Sequence, residues 1–324
     1  MMKALYSGVS GMRSHQTKMD VIGNNIANVN TNGYKSQRAT FRDIYYQTIS
    51  NPSSATAEAV GGTNASQVGY GAQIGSVDTI HTISGYSPTN RETDLYINGD
   101  GYLAVQDTSG ETSYTRLGAL NFDSEGNLVD VKGTRVLGYD NGVAQGSPGS
   151  ILNSSGALDL NGALGHTVDA NGKITAYSTN YNMGPINIKN FDSYGNITIN
   201  KDGIITATVI KDIDAAAADI NKGKTKDTIV TIGFIPTAYV PNQSALILEG
   251  DSYYRAGNNT GDIIYEVPGS GLTGSIVTGG LEMSNVDLAN EFSDMIVTQR
   301  GFQANTKIIS VVDQMLEELV NLKR

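Results

Sequence analysis

Apolar residues spaced seven apart at both ends of the chain constrain its fold more than any other feature. Near one end, Leu288, Met295, Phe302, Ile309 and Leu316 fall seven apart. Near the other, Leu5, Met12, Met19 and Ile26 repeat the interval. Such a repeat returns to one stripe of an α-helix and asks for a partner helix along that stripe. Ile22 and Val29 add a second line beside Met19 and Ile26, although that line is weak near the start, where it reads Gly8 and His15. Residues 3–29 hold no proline, which predicts a helix roughly 40 Å long. Asn30-Thr31-Asn32-Gly33 ends it, because Asn and Gly tolerate the left-handed geometry that stops helices.

The second helix is the stronger pattern. Ile308, Met315 and Leu322 form one further line, Val312 and Leu319 another, and Phe292 joins the apolar set. Ser284 stands as an expected N-cap with Asp287 three residues on, completing a capping box. From there to Arg324 only Gly301 interrupts, which predicts about 38 residues and roughly 57 Å of helix. Two adjacent lines suffice for a two-helix seam. Three lines call for more than one partner helix, and neighbouring copies of the same chain are the expected partners. The plainer alternative is a helix pair packed on the chain's own core.

Composition sets the rest of the frame. Among 324 residues, 39% are hydrophobic and 17% charged, with 38 Gly, which fits a turn-rich β protein between the helices. The net charge of −10 disfavours a nucleic-acid or anionic-membrane partner. Without Cys, disulfides, thiol catalysis and Cys-ligated zinc are excluded. No apolar run approaches the roughly 18 residues of a membrane span, and the start of the chain lacks the apolar stretch of a secretory signal.

From about Gly75 the pattern changes to period two with turn signals. Leu95 and Ile97 alternate before Asn98-Gly99-Asp100-Gly101, and Leu103 and Val105 alternate after it, which predicts a hairpin. Turn residues at 123–127, 169–173, 192–196 and 201–203 predict further antiparallel hairpins. Strands are expected at 186–188, 197–199, 204–210 and 229–236. Residues 141–184 are Gly/Asn/Ser-rich and read as a small inserted lobe, and 212–222, with Ala215–Ala218, as a short helix or surface excursion. The fold class is mainly β with long terminal α-helices. Its expected domains are a helical coiled-coil domain from 1–30 and 284–324, an extended linker at 31–74, and a β-rich domain from 75–140 and 185–283.

No chemistry emerges from the residues. His15, His81 and His166 lie far apart with no ligand or triad spacing. Gly223-Lys224-Thr225 lacks the leading Gly of a phosphate loop, since position 218 is Ala. The Asp/Asn/Gly turns lack the alternating ligands and distal Glu of a calcium loop. The expectation is a structural protein with no catalytic, cofactor or metal site. An adhesion module or a glycan-remodelling enzyme are the alternatives from other classes.

Three motifs carry a family resemblance. Asp20-Val-Ile-Gly-Asn-Asn-Ile-Ala-Asn-Val-Asn-Thr-Asn-Gly-Tyr-Lys35 resembles the N-terminal signature of bacterial flagellar rod and hook proteins. Thr93-Asp-Leu-Tyr-Ile-Asn-Gly-Asp-Gly-Tyr102 with Tyr114-Thr-Arg-Leu-Gly118 is similar to their β-domain. Leu281-Glu-Met-Ser-Asn-Val-Asp-Leu288 with Gln299-Arg-Gly-Phe-Gln-Ala-Asn305 resembles their C-terminal signature. Asn24, Asn25, Asn28, Gly33, Ser284, Asn285, Gln299 and Arg300 are the signature positions singled out. Within the family, Gly61–Thr82 and the ending Glu317–Arg324 look nearest to hook proteins, with distal rod proteins second.

The resemblance implies a homopolymeric curved tube that joins motor to filament and transmits torque. The joined terminal helices would be innermost, around a channel, with the lobe outermost. It implies a hook or basal-body location outside the cell, reached through the flagellar type III export apparatus without a cleaved signal. Distal rod, hook cap and hook–filament junction proteins would be its neighbours.

Overall fold

A computed structural model describes residues 2–54, 61–140, 164, 167–168, 174–176, 183–211 and 225–322. The chain forms two units. One comprises Met1–Val29, Lys35–Ile80 and Val286–Arg324, the other Asn30–Tyr34 and His81–Asn285. The fold is mainly β with two long helices.

The first unit holds both helices, α1 (Met2–Ala27) and α2 (Leu288–Asn321). It also holds β1 (Gln37–Asp43), β2 (Tyr46–Ser50), β3 (Ser66–Gly69) and β4 (Ala72–Thr79). α1 stops where Asn28 turns back, its side-chain amide donating to the Asn24 carbonyl at 2.9 Å and to Asn24 Oδ1 at 3.0 Å. β1 pairs antiparallel with β4, with a bulge at Thr40/Phe41, and β2 pairs antiparallel with β3. α1 lies on the β4 end of this arm through its serines. Ser14 Oγ donates to the Ala72 carbonyl at 3.1 Å, and Gly71, at φ +110°, has Ser10 Oγ where a Cβ would stand.

The stretch 31–74, expected as an extended linker, therefore carries three strands and the start of a fourth. Its Ser-, Thr- and Gln-rich strands lack the apolar alternation that marks a half-buried strand, and they are largely exposed. The α2 cap also differs from expectation. Asp287, not Ser284, is the N-cap, with Oδ1 accepting from the Ala289 and Asn290 amides. The Ser284 carbonyl is held by Ser84 Oγ at 2.7 Å, so residues 284–286 stay non-helical and α2 has 34 residues.

The second unit begins with β5 (Tyr86–Pro88), β6 (Leu95–Asn98), β7 (Leu103–Gln106) and β8 (Thr112–Thr115). β9 (Leu120–Phe122), β10 (Leu128–Asp130), β11 (Arg135–Asp140), β12 (Thr167–Val168), β13 (Ile174–Ala176) and β14 (Gly184–Pro185) follow. After them come β15 (Tyr194–Ile199), β16 (Ile204–Val209), β17 (Ile229–Phe234), β18 (Thr237–Tyr239) and β19 (Ile247–Gly250). β20 (Tyr253–Arg255), β21 (Ile264–Glu266), β22 (Ser275–Thr278) and β23 (Gly280–Glu282) complete it. The main sheet runs β15-β16-β17-β11-β7-β8-β20-β19, with β10 and β14 paired to β11 and β9 to β10. The described pairings, the smaller β5–β23, β6–β22, β18–β21 and β12–β13 ladders included, are antiparallel.

Alternation along a strand sends neighbours to opposite faces, and here both faces are buried. Along Tyr102 and β7, Leu103 and Val105 enter one apolar cluster while Tyr102 and Ala104 enter another. Ile205 and Ile204, and Val136 and Leu137, divide the same way.

The expected hairpins at Asp123–Asn127 and Lys201–Gly203 form, joining β9 to β10 and β15 to β16. Asp123 Oδ1 accepts from the Glu125 and Asn127 amides at 2.9 and 2.8 Å. The hairpin expected at Asn98–Gly101 does not. β6 pairs with β22, and β7 pairs with β8 and β11. Gly99 and Gly101 both sit at φ +137°, outside the geometry of a two-residue hairpin turn. Gly99 lies so close to Gly274 that a Cβ would stand 2.5 Å from its Cα. Near 192–196 a 3₁₀ turn spans Phe191–Ser193 and the strand starts at Tyr194. The 212–222 segment lies outside the described residues. So does most of the 141–184 lobe, of which Leu164, β12, β13, Met183 and Gly184 are described.

Gly118 closes the β6 side of the core, where an added Cβ would lie 1.9 Å from the Leu95 carbonyl oxygen. Gly118→Ala should lower the unit's stability by about 1–3 kcal/mol, measured by urea unfolding.

Candidate assembly interface

The helix seam is built from small residues on one helix facing larger ones on the other. A Cβ on Gly8 would stand 3.2 Å from Ile309 Cγ1, and one on Gly11 would meet the Asn305 side chain at 2.9 Å. A Cβ on Gly301 would meet the His15 ring at 2.6 Å. Thr306 Oγ1 approaches Met12 Sδ at 4.0 Å, Lys18 Nζ pairs with Asp294 at 3.0 Å, and Asn25 Nδ2 donates to Glu291 at 2.9 Å. Partners on α2 fall in number as those on α1 rise, so the pair is antiparallel. Gly8 and His15, the weak positions of the α1 pattern, both sit at close approaches of the two helices.

Asn25 is the polar node of the seam. Its side chain is 1% exposed, accepts from the Gln37 amide at 2.9 Å and donates to the Gln37 carbonyl at 2.8 Å and to Glu291. One carboxamide thus copies a strand's hydrogen bonding to β1 and ties it to both helices. Burial holds the Glu291 carboxyl above its ordinary value, partly offset by the Asn25 hydrogen bond. Heptad reading passes over Asn25; the sequence marks it as an amide between the seam residues Ile22 and Ile26 and as a signature position of the family resemblance.

The expected seam residues divide in two. Ile22 and Val312 are buried, while Leu5, Met12, Met19, Ile26, Val29, Met295, Phe302, Ile309 and Leu316 are partly buried. Leu288, Phe292 and Leu319 are exposed in the single chain. A residue step rotates a helix by about 100°, so the 308/315/322 line lies a quarter-turn from the 309/316 line. Val297, Ile308, Val311, Met315 and Leu322 are all exposed, the last 82%, and Gly301 and Ala304 fall on the same line. Gly301 and Ile308 border the pairing with α1, Gly301 against His15 and Ile308 beside Gly8, while the stripe, spaced by threes and fours, keeps its large side chains exposed. A groove of about 390 Å³ beside α1, lined in part by Tyr6, Val9, Ile44 and Ile74, adds further exposed apolar surface in this unit.

The remaining signature residues do structural work or face solvent. Gly33, at φ +71°, donates its amide to the Glu282 carbonyl at 2.8 Å. Asn285 Nδ2 donates to Thr82 Oγ1 at 3.0 Å, Gln299 is exposed, and Arg300 donates to Gln303 at 3.2 Å. Among the described residues there is no cluster of His, Asp or Glu suited to a metal ion, and no helix long and apolar enough to cross a membrane. His81 Nδ1 lies 2.8 Å from the Tyr102 hydroxyl, and His166 lies outside the described residues.

His15 gives the seam a pH dependence. Burial, then the charge of Lys18, pushes its pKa down, so the folded chain binds the proton less tightly than the unfolded one. Its stabilising contribution is complete above the ordinary value near ~6.5 and falls as the pH drops below it. The thermal midpoint of the helices should fall between about pH 7 and pH 5, less steeply in His15→Gln, as followed by circular dichroism. Asn25→Ala should cost about 2–4 kcal/mol in the same assay, by leaving the Gln37 amide and carbonyl unpaired.

Three family models match the chain. Residues 5–35 match "Flagella basal body rod protein", 96–207 "Flagellar hook protein FlgE/F/G D1 domain", and 277–322 "Flagellar basal body rod FlgEFG protein C-terminal". The chain is 40% identical over 325 residues to the flagellar basal-body rod protein FlgG of Bacillus subtilis, covering all of both chains. It is 30% identical over 445 aligned positions to the flagellar hook protein FlgE of Borreliella burgdorferi, again covering all of both. It is also 30% identical over 324 residues to the FlgG of Borreliella burgdorferi, with full coverage of each. The motifs, the two-helix mainly-β fold and these full-length similarities agree: the chain belongs to the flagellar rod and hook family of axial proteins.

Proposed function

We propose that this chain is a non-catalytic subunit that polymerises into a tubular segment of the flagellar axis, with the second stripe of α2 seated on neighbouring copies. The carrying observation is that stripe: Ile308, Val311, Met315 and Leu322 lie exposed at helical spacing after the α1–α2 pairing is complete. Each such side chain gains roughly 1.5–3 kcal/mol on full burial, so a neighbour covering four of them gains several kcal/mol per contact. Repetition of a head-to-tail contact of this kind generates rings or helical tubes. The seam residues Phe302 and Ile309 would hold the helix pair together, and the outer stripe would join copies. In the tube the helices would line a channel and the β-rich unit would form an outer layer. Neighbours along the axis would be rod, cap and junction proteins, with delivery by the flagellar export apparatus.

Two positions along the axis each have an observation in their favour. Equal length and 40% identity to the Bacillus subtilis rod relative favour the distal rod. The character of Gly61–Thr82 and full-length similarity to a hook relative favour the hook, a curved joint whose subunits slide as it turns.

Val311→Asp or Met315→Asp should leave monomeric helicity intact and abolish tubes seen by electron microscopy. Phe302→Asp or Ile309→Asp should abolish tubes as well, while also lowering helicity and leaving the β-rich unit folded. Normal tubes from the stripe variants would refute the reading. Immunogold labelling of isolated hook–basal bodies assigns the position: gold on the curved segment selects the hook, gold below it the distal rod.

A further inference from the structure

Arg116 and Glu282 form an ion pair with side chains 0% and 1% exposed, Nη1 lying 3.2 Å from Oε2. The guanidinium also donates to the Gly99 carbonyl at 2.6 Å and lies over the Tyr102 ring at 5.2 Å. Replacing a buried ion pair by apolar residues is often neutral or stabilising. The pair is therefore better explained by what it fixes than by stability.

What it fixes is the set of segments by which this unit connects to the rest of the chain. The chain leaves or enters the unit at 29/30, 34/35, 80/81 and 285/286. Every covalent path between the two units thus runs through residues 30–34, the start of the 81–285 segment, or its end. Glu282 holds a member of each group. Its carbonyl accepts from the Gly33 amide at 2.8 Å, its Oε1 accepts from the Ser84 amide at 3.1 Å, and it lies itself in the last group. Further bonds close the set. Met283 N donates to the Gly85 carbonyl at 2.9 Å, Ser84 Oγ to the Ser284 carbonyl at 2.7 Å, and Asn285 Nδ2 to Thr82 at 3.0 Å. Asn285 N reaches the Tyr34 carbonyl at 3.4 Å, and Tyr96 OH holds the Ser84 carbonyl at 2.9 Å.

We propose that the buried Arg116–Glu282 pair anchors a clasp that gathers all of these connecting segments and opens as one unit when the anchor is lost. A load carried along the chain from one unit to the other must pass through the clasp. The pair therefore governs whether the connectors behave as a tied bundle or as separate tethers. This role stands whether or not the chain forms tubes.

Amide exchange of the full chain before polymerisation, followed residue by residue by NMR, tests it. Glu282→Gln should speed exchange at Gly33, Ser84, Met283 and Asn285 together, by about tenfold or more, while the β16–β17 ladder keeps its protection. Arg116→Lys, which keeps the charge but loses the fork that reaches both Glu282 and the Gly99 carbonyl, should speed the same four amides. A change confined to Ser84 in Glu282→Gln, or equal loss of protection in the β16–β17 ladder, would overturn the clasp. Should Glu282→Gln fail to fold, Arg116→Lys decides alone: exchange raised together at Gly33, Ser84, Met283 and Asn285 supports the clasp, and unchanged exchange at Gly33 and Met283 refutes it.

Discussion

Close approach of two helix backbones, made possible by glycine, is the contact on which the first unit rests. Gly8 and Gly11 on α1 and Gly301 on α2 each vacate the space that Ile309, Asn305 or His15 occupies. Each glycine inside a helix costs about 1 kcal/mol of propensity relative to Ala. The return is a seam in which a bulky side chain on one helix rests against bare backbone on the other. Such a seam is specific in register, because sliding by one turn would set His15 against Thr298 or Asn305 in place of Gly301. The salt bridge of Lys18 with Asp294 and the Asn25 carboxamide then mark that register at the far end.

The polar and apolar parts of the seam divide the labour. Leucine-like contacts supply burial but accept many registers. Asn25 accepts one, since its carboxamide must meet both main-chain groups of Gln37 and the Glu291 carboxylate together. The Arg116–Glu282 pair has the same character in the second unit. In both places a buried polar group fixes where segments distant in sequence must meet, while the surrounding apolar clusters supply the bulk of the stability.

The helices were legible because a heptad repeat is a strong, long-range signal, and their limits fell within a few residues. Which apolar line faced which partner was less legible. Phe292 and Leu319 belong to the apolar set yet lie on the flanks, because a single partner helix covers one strip of a cylinder. The hairpins at Asp123–Asn127 and Lys201–Gly203 could be read because the turn and its two strands are contiguous. Asn98–Gly101 could not, since a turn dipeptide reports a change of direction but not which strand waits on the other side; there the partner, β22, lies far along the chain. β2 and β3 escaped notice because polar strands in an exposed arm carry no burial pattern. Asp287 outcompeted Ser284 as a cap because Ser284 was already engaged by Ser84, a tertiary contact invisible to local pattern.

The separation of the seam's two halves has a kinetic consequence. Asn25 and Glu291 are 266 positions apart, so the first helix to emerge during synthesis waits for nearly the whole chain before its partner exists. Until then α1 is a solitary amphipathic segment, and isolated helices in water are marginal. Its high contact order makes the pairing slow and late. The β-rich unit, whose strands are mostly nearer neighbours, can be complete before the ends find each other. A chain arranged this way passes through a stage with a folded middle and adhesive, unmated ends, and its choice between self-pairing and pairing with another copy is made at that stage.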